Sequence, residues 1–417
     1  MKVYITPSAL GGRVSAIASK SCAHRMLICA ALSEAPSRIV CRELSDDINA
    51  TAGCLKNLCA EISYKDGEFI VKPFENPAIS AKIDCGESGS TLRFLLPVVC
   101  ALGTQCRIDM HGRLPLRPLS PLYEELVRGG ASLSEQGVSP LCVSGKLHEN
   151  RFSISGGVSS QFISGLLLAL PLLGGGQVDI TSKLESASYV DITLDCMKRF
   201  GIETSISESS ISVSGGYVSP GRLSVEGDWS NAAFWLCAGA LSEKPVAVCG
   251  LDPDSPQGDR KILDVLRAFG ACVSVGDGIG VSPSRLHAAS IDASDIPDLV
   301  PVTAVLAAAA DGESRIYNAA RLRLKESDRL MSVTHMLGAL GADIRETDDG
   351  LIIHGGSPLS GGTVSSFGDH RIAMSAAVAS LLCDGKVIID GAETVGKSYP
   401  GFFDDFSALG GIVDEQI

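Results

Sequence analysis

No apolar run in the chain approaches the ~20 residues needed to cross a bilayer. The best candidate, 162–173, is broken by Gly165 and Pro171 and reads as a buried helix. The amino terminus, Met1-Lys2-Val3-Tyr4, enters strand-like sequence without an apolar secretory segment, so a cytoplasmic location is expected. Zinc-type CxxC spacing is also missing: the 14 cysteines are scattered through apolar contexts such as Ile28-Cys29-Ala30 and Val99-Cys100-Ala101. They read as small buried hydrophobes of a reducing compartment and not as ligands or disulfides. Neither a Walker A nor a Rossmann glycine pattern follows a strand-like run, and no metal-ligand spacing occurs, so neither metal nor cofactor is expected. Positive charge is in deficit too. With 35 Lys and Arg against 48 Asp and Glu, the net charge of −13 argues against nucleic acid as a partner. A small anionic substrate stays open, because a local basic cluster can outweigh a global acidic field.

What is present is a globular composition, 45% apolar and 20% charged, over 417 residues. That length exceeds one ordinary core and predicts two or more domains. A pattern recurs along it: a helix-like stretch, a small residue, then two strand-like runs around a turn. The small residue falls at Cys59, Gly130, Gly201, Gly270, Gly341 and Gly410, at intervals of 71, 71, 69, 71 and 69. Each ends an amphipathic stretch, where a left-handed residue satisfies the last carbonyls of a helix. A hairpin is expected next, as in 342–346, a turn at Asp348-Asp349-Gly350, and 351–354. The period of ~70 exceeds common solenoid lengths and points to folded α/β units. Six units divide into two lobes of three, with a midpoint near Val225-Glu226-Gly227-Asp228. A ligand between two such lobes would be shielded from water by their closure.

Cationic residues gather at joints rich in Gly, Ser and Pro. Ser19-Lys20-Ser21 opens a helical run and brings Lys20 and Arg25 to its amino end, an anion-binding arrangement; His24 between them reads as structural. Gly86-Glu87-Ser88-Gly89-Ser90 lets backbone approach a phosphate or carboxylate and is followed by Arg93. Arg113 and Arg117 lie in a proline-stiffened loop. Ser159-Ser160-Gln161 precedes an apolar helix, and capping accounts for at most one of the three. Asp298 stands before another apolar helix, as a base or as a cap. In 321–329, Leu322 and Leu324 interrupt the charges in strand-like alternation, which favours a loop or a strand end pointing inward. Arg371 and Lys397 complete the set. So many cations predict a ligand pair with several negative charges.

With the motifs SKSxxxR, RPLxPL, SSQ, IPD, RLRxKESDR, DHRxAM and KSYPxF in order from Lys20 to Lys397, the chain resembles the 5-enolpyruvylshikimate-3-phosphate synthase family. The resemblance implies an α/β fold of two lobes, each of three βαβαββ units, with the active site in the interdomain cleft. Residues 1–18 with 227–417 would form one lobe and 19–226 the other. It implies transfer of the enolpyruvyl group of phosphoenolpyruvate to the 5-hydroxyl of shikimate 3-phosphate, in aromatic amino-acid biosynthesis. Lys20, Ser21, Arg25, Ser159, Ser160, Gln161, Ser186, Asp298 and Lys325 match shikimate 3-phosphate contacts, with Tyr189 beside them. Lys20, Gly89, Arg117, Gln161, Arg329, Arg371 and Lys397 match the phosphoenolpyruvate grip. Asp298 matches the base, Glu326 the acid that protonates the methylene carbon, and Lys20 joins them as catalytic.

Two positions depart from the family. Its usual Asn-Ala-Gly-Thr is Glu87-Ser88-Gly89-Ser90 here, so Glu87 is expected to point away or pair with a cation such as Arg93. The asparagine of the YNxRxKE(S/T)DR region has no clear equivalent, since Asn318 is too far upstream and Arg321 lies nearer. Gly89, where an added methyl would crowd the site, predicts sensitivity to glyphosate. Alternatives are the sister enzyme acting on UDP-N-acetylglucosamine, whose loop cysteine is missing from 112–118, and a non-catalytic anion-binding relative. A monomer is expected, because each lobe can bury its own core.

Overall fold

Alternation of buried and exposed side chains makes Lys2–Thr6 a strand, with Val3 and Ile5 turned into the core. The same period recurs in the computed structural model, which describes residues 1–416. Among these residues six four-stranded sheets form, each with one pairing order: a parallel pair followed by two antiparallel partners. In the sheet Ser80–Asp84, Gln105–Asp109, Leu141–Gly145, Ala131–Leu133, the first two strands run parallel and the last two form the hairpin.

Contacts divide the chain into two compact units, Met1–Ile17 with Gly227–Ile417 and Ala18–Glu226, each built on three of these sheets and enclosing its own apolar core. In the first unit Lys2–Thr6 lies antiparallel between Val387–Asp390 and Ile412–Gln416, and Gly12–Ser15 pairs parallel with Val246–Cys249. In the second, Arg222–Ser224 completes the sheet begun by Ser37–Val40.

Two kinds of helix alternate. Trp229–Leu241, Val300–Ala309 and His370–Ala379 are apolar nearly all round and run through the core of the first unit. Lys20–Ala31, Gly89–Leu102 and Ser160–Ala169 do the same in the second. Gly165 permits the last two to touch, because a Cβ there would lie 2.1 Å from the Arg93 carbonyl oxygen. The other helices, such as Asp46–Asn57, bury one face only.

The six residues of the sequence period all adopt positive φ at the ends of these one-faced helices: Cys59 82°, Gly130 113°, Gly201 77°, Gly270 85°, Gly341 91° and Gly410 109°. A hairpin follows each of the first five, as predicted from sequence; after Gly410 a single strand, Ile412–Gln416, pairs instead with Lys2–Thr6 from the other end of the chain. One local expectation holds only in part. Of a loop or a strand end over 321–329, the strand end does not form: Ala320–Leu324 is a 3-10 turn in a connection, which buries Leu322 but leaves Leu324 51% exposed. Three residues per turn cannot place i and i+2 on one face.

Candidate active site

In the second unit the three core helices begin with serine caps. Ser19 accepts from Cys22 N, Ser88 from Thr91 N and Ser159 from Gln161 N, and no acidic residue occupies any of the three first turns. No carboxylate of these helices' own first turns offsets their partial positive charge, although Glu226 accepts from Cys22 Sγ (3.1 Å) at the first of them. The helix begins at Lys20, so Lys20, Ser21 and Arg25 ride on its first two turns. Lys20 Nζ lies 2.9 Å from the Asp47 carboxylate. Arg25 is fully buried and donates to Thr193 Oγ1 (2.7 Å), Ser21 O (2.6 Å) and Tyr189 O (2.9 Å), with its guanidinium over the Phe94 ring. Ser186 precedes the helix Ala187–Arg199 in a left-handed conformation, φ 54°, and is buried. That strain is worth about 1–3 kcal/mol and is held by its surroundings.

A second group forms around Gly89. Arg93 donates to Gln161 Oε1 (2.8 Å), and Gln161 Nε2 donates to Ser90 Oγ (2.9 Å). A Cβ on Gly89 would meet Arg93 Nη1 at 2.8 Å and Arg117 Nη1 at 2.9 Å, so glycine is what lets both guanidinium groups rest against the helix start. Ser160 is buried directly after the Ser159 cap. Glu87 is exposed and folds over Gly112, where a Cβ would lie 2.5 Å from its Oε2; Arg93 spends donors on Gln161 and the Pro118 carbonyl.

In the first unit one guanidinium organises the carboxylates. Arg329 is buried and directs Nη1 to Asp298 Oδ1 (2.6 Å), Nη2 to Glu326 Oε2 (2.7 Å) and Nε to Asp369 Oδ2 (2.8 Å). Arg371 Nη2 reaches the other Asp298 oxygen at 3.2 Å, and Lys325 Nζ lies 3.5 Å from Oδ1. Asp298 sits in a 3-10 turn, Pro297–Leu299, before its helix and supplies no cap. The open choice between base and cap therefore falls away from the cap. Burial pushes the Asp298 carboxyl up, but Arg371, Lys325 and Arg329 outweigh it and hold the group well below the usual range. Burial lowers Lys325, against the pull of Asp298. Lys397 Nζ donates to the Gly368 carbonyl (2.8 Å), beside the Asp369 cap.

Each predicted residue thus lies in the first turn of a helix or the turn before one, apart from Arg25 and Arg93, more than a turn into their helices, Lys325 and Glu326 in the approach to Arg329, Arg117 in its loop and Lys397 in a 3-10 turn. Four participants escaped the sequence reading. Asp369, fully buried, caps Arg371 N and fixes Arg329. Asp47 pairs with Lys20, and Thr193 with Arg25. Asp259 is buried, and its carboxyl is pushed up to about 6 by burial and by Asp298, against Arg371. For Asp369 a signal existed, since it occupies the same repeat position as Ser19, Ser88, Ser159, Asp228 and Asp298. Arg321, nearest the missing asparagine, donates to the Ser294 carbonyl.

The model of the EPSP synthase (3-phosphoshikimate 1-carboxyvinyltransferase) family matches residues 5–406. The chain is 44% identical over 420 residues to the 3-phosphoshikimate 1-carboxyvinyltransferase of Clostridium kluyveri, covering 99% of this chain and 98% of that one. It is 43% identical to that of Clostridium perfringens over the whole of both chains. Among solved structures, an EPSP synthase from Acinetobacter baumannii superposes with a TM-score of 0.82 at 26% identity, covering 99% of this chain and 100% of the other.

Proposed function

The chain belongs to the EPSP synthase family, and from that premise we propose that it transfers the enolpyruvyl group of phosphoenolpyruvate to the 5-hydroxyl of shikimate 3-phosphate, releasing phosphate. The observation that carries the residue assignment is Arg329, which holds Asp298 and Glu326 on separate nitrogens, 2.6 and 2.7 Å away. A reaction that adds a proton to one carbon and removes one from a hydroxyl needs two carboxyl groups held apart in this way.

In the proposed sequence Glu326 protonates C3 of phosphoenolpyruvate, which makes C2 cationic. The 5-hydroxyl oxygen bonds to C2 while Asp298 takes its proton. The resulting ketal loses phosphate as a C3 proton passes back to the Glu326 carboxylate, which restores the double bond, while the proton held by Asp298 goes to the departing phosphate. Asp298 in the free protein is too acidic for a good base, because three cations clamp it. Anionic substrates compete for Arg329, Arg371 and Lys325, and each cation drawn away raises the Asp298 carboxyl toward its task. The basic groups then stabilise charge on phosphate and carboxylate.

Shikimate 3-phosphate is assigned to Lys20, Ser21, Arg25, Ser159, Ser160, Gln161 and Ser186, with Asp298 and Lys325. Phosphoenolpyruvate is assigned to Lys20, Gly89, Arg117, Gln161, Arg329, Arg371 and Lys397. Serine-capped helix starts without acidic first turns support the anion-binding role of the second unit. The chain is expected to work as a monomer in the cytoplasm; separate cores in the two units support the first point. Among the described residues no helix is long and apolar enough to cross a membrane.

The test is phosphate release from phosphoenolpyruvate with shikimate 3-phosphate as acceptor, repeated with UDP-N-acetylglucosamine. Release with the first alone supports the reading; release with the second alone moves the chain to the sister reaction, and silence with both makes it a binding relative. Glyphosate should inhibit at concentrations near the phosphoenolpyruvate KM, since Gly89 keeps that space open. Inhibition only far above it would overturn the Gly89 argument.

A further inference from the structure

His24 lies between Lys20 and Arg25 on the helix Lys20–Ala31 and belongs to neither ligand grip. It is fully buried, and its Nδ1 is 2.7 Å from Thr51 Oγ1. Thr51 Oγ1 is 2.6 Å from Thr91 Oγ1, and Thr91 Oγ1 donates to Ser88 Oγ at 2.8 Å. All four residues are buried. Each hydroxyl has one proton. With that of Thr91 given to Ser88, Thr51 must give its own to Thr91, and His24 must donate Nδ1–H to Thr51. Burial, then Lys20 and Arg25, push the imidazole well below its usual range, so the ring stays neutral and the donor stays on Nδ1.

Two rungs join the helices. Lys20 and His24 are one turn apart on Lys20–Ala31, and Asp47 and Thr51 are one turn apart on Asp46–Asn57. Lys20 pairs with Asp47, His24 with Thr51. From Thr51 the chain continues to Ser88, the cap immediately before Gly89. Arg25 is anchored elsewhere, on Thr193 and the Tyr189 carbonyl.

From this geometry we infer that His24 is a positioning residue: through Thr51 and Thr91 it fixes Lys20 against the Gly89 turn, and so sets affinity for phosphoenolpyruvate more strongly than affinity for shikimate 3-phosphate. The inference rests on the proposed ligand assignment, in which Lys20 serves both ligands, the Gly89 turn serves phosphoenolpyruvate alone, and Arg25, anchored elsewhere, keeps hold of shikimate 3-phosphate.

Thr51→Val removes the middle hydroxyl at constant shape, and Thr51→Ser restores it. In steady-state assays of the full chain, Thr51→Val is expected to raise the phosphoenolpyruvate KM about tenfold, the effect of one lost buried hydrogen bond. The shikimate 3-phosphate KM and kcat should change less than about threefold, by the same reasoning from an intact Arg25 anchor. Thr51→Ser should behave as wild type, and adding His24→Leu to Thr51→Val should cost little more, since the chain is already cut. An unchanged phosphoenolpyruvate KM, or an equal rise in both KM values, overturns the inference. Should Thr51→Val fail to fold, Thr91→Val cuts the next link and is judged by the same criteria. Calorimetric titration of phosphoenolpyruvate in the presence of shikimate 3-phosphate, with each variant carried in a Glu326→Gln background to suppress turnover, reads the affinity directly. A silent wild type would then sink the functional reading, while the titration still decides the role of His24.

Discussion

Both units use one scaffold, and they differ most at a single repeat position. Ser19, Ser88 and Ser159 in the second unit correspond to Asp228, Asp298 and Asp369 in the first, spaced by 69, 71, 69, 70 and 71 residues. Serine satisfies the first amides of a helix and leaves its positive end open to an incoming anion. Aspartate offers the same oxygen to the same amides but carries charge, and in the first unit two of the three bind cations: Asp369 fixes Arg329, while Asp298 is clamped by Arg329, Arg371 and Lys325. The same scaffold thus carries serine-capped helix starts in one half and a cluster of carboxylates and cations in the other. Moving Asp298 into a 3-10 turn frees its carboxylate from capping altogether. Under the proposed function, the exchange of one residue type at the helix starts divides anion binding from proton transfer.

If that division holds, loss of a carboxylate in the first unit should fall on kcat, and a change at a helix cap in the second on affinity. Glu326→Gln gives the largest expected effect: kcat should fall by about 10²–10⁴-fold, the usual worth of a general acid. Calorimetry should find shikimate 3-phosphate affinity nearly unchanged; a surviving kcat would remove Glu326 from the acid role. Next, Ser159→Asp transplants the cap of the first unit into the second. Aspartate caps as well as serine, so the melting temperature should hold, while shikimate 3-phosphate affinity drops about 10- to 100-fold from charge repulsion. Unaltered affinity would break the comparison at its centre.

Gly89→Ala should raise the phosphoenolpyruvate KM about tenfold or less, because the guanidinium ends of Arg93 and Arg117 can yield to the new methyl. Glyphosate inhibition should weaken by more than that. The smallest effect is a stability difference. The Asp259 carboxyl, at about 6, lies above its unfolded value near 3.8, so the folded protein binds this proton more tightly than the unfolded chain. Ionisation above pH 6 therefore destabilises the fold, and the penalty is relieved as pH falls from 6 toward 4. Relative to wild type, Asp259→Asn should gain melting temperature at pH 7 and lose that advantage by pH 4. A pH-independent difference would show that Asp259 does not titrate in this window.

Much of the fold was legible because it is local and repeated. The left-handed residues at 59, 130, 201, 270, 341 and 410 lie at helix ends, where φ is set within a few residues. The serine caps are equally short-ranged. Ala320–Leu324 misled because alternating Leu and Arg suit a strand and a 3-10 turn alike, and only burial of Leu322 with exposure of Leu324 separates them.

By itself, then, the sequence determined the six-unit α/β plan, the helix starts and the inventory of cations and carboxylates near them, since each depends on neighbours within a turn or two. Tertiary structure alone decided which charges meet. Asp298 finds Arg371 73 residues away, and Lys2–Thr6 finds Ile412–Gln416 at the far end of the chain. The ionisation of Asp298 follows from the cations that meet it there, which outweigh the burial that opposes its charge, and no local pattern records either.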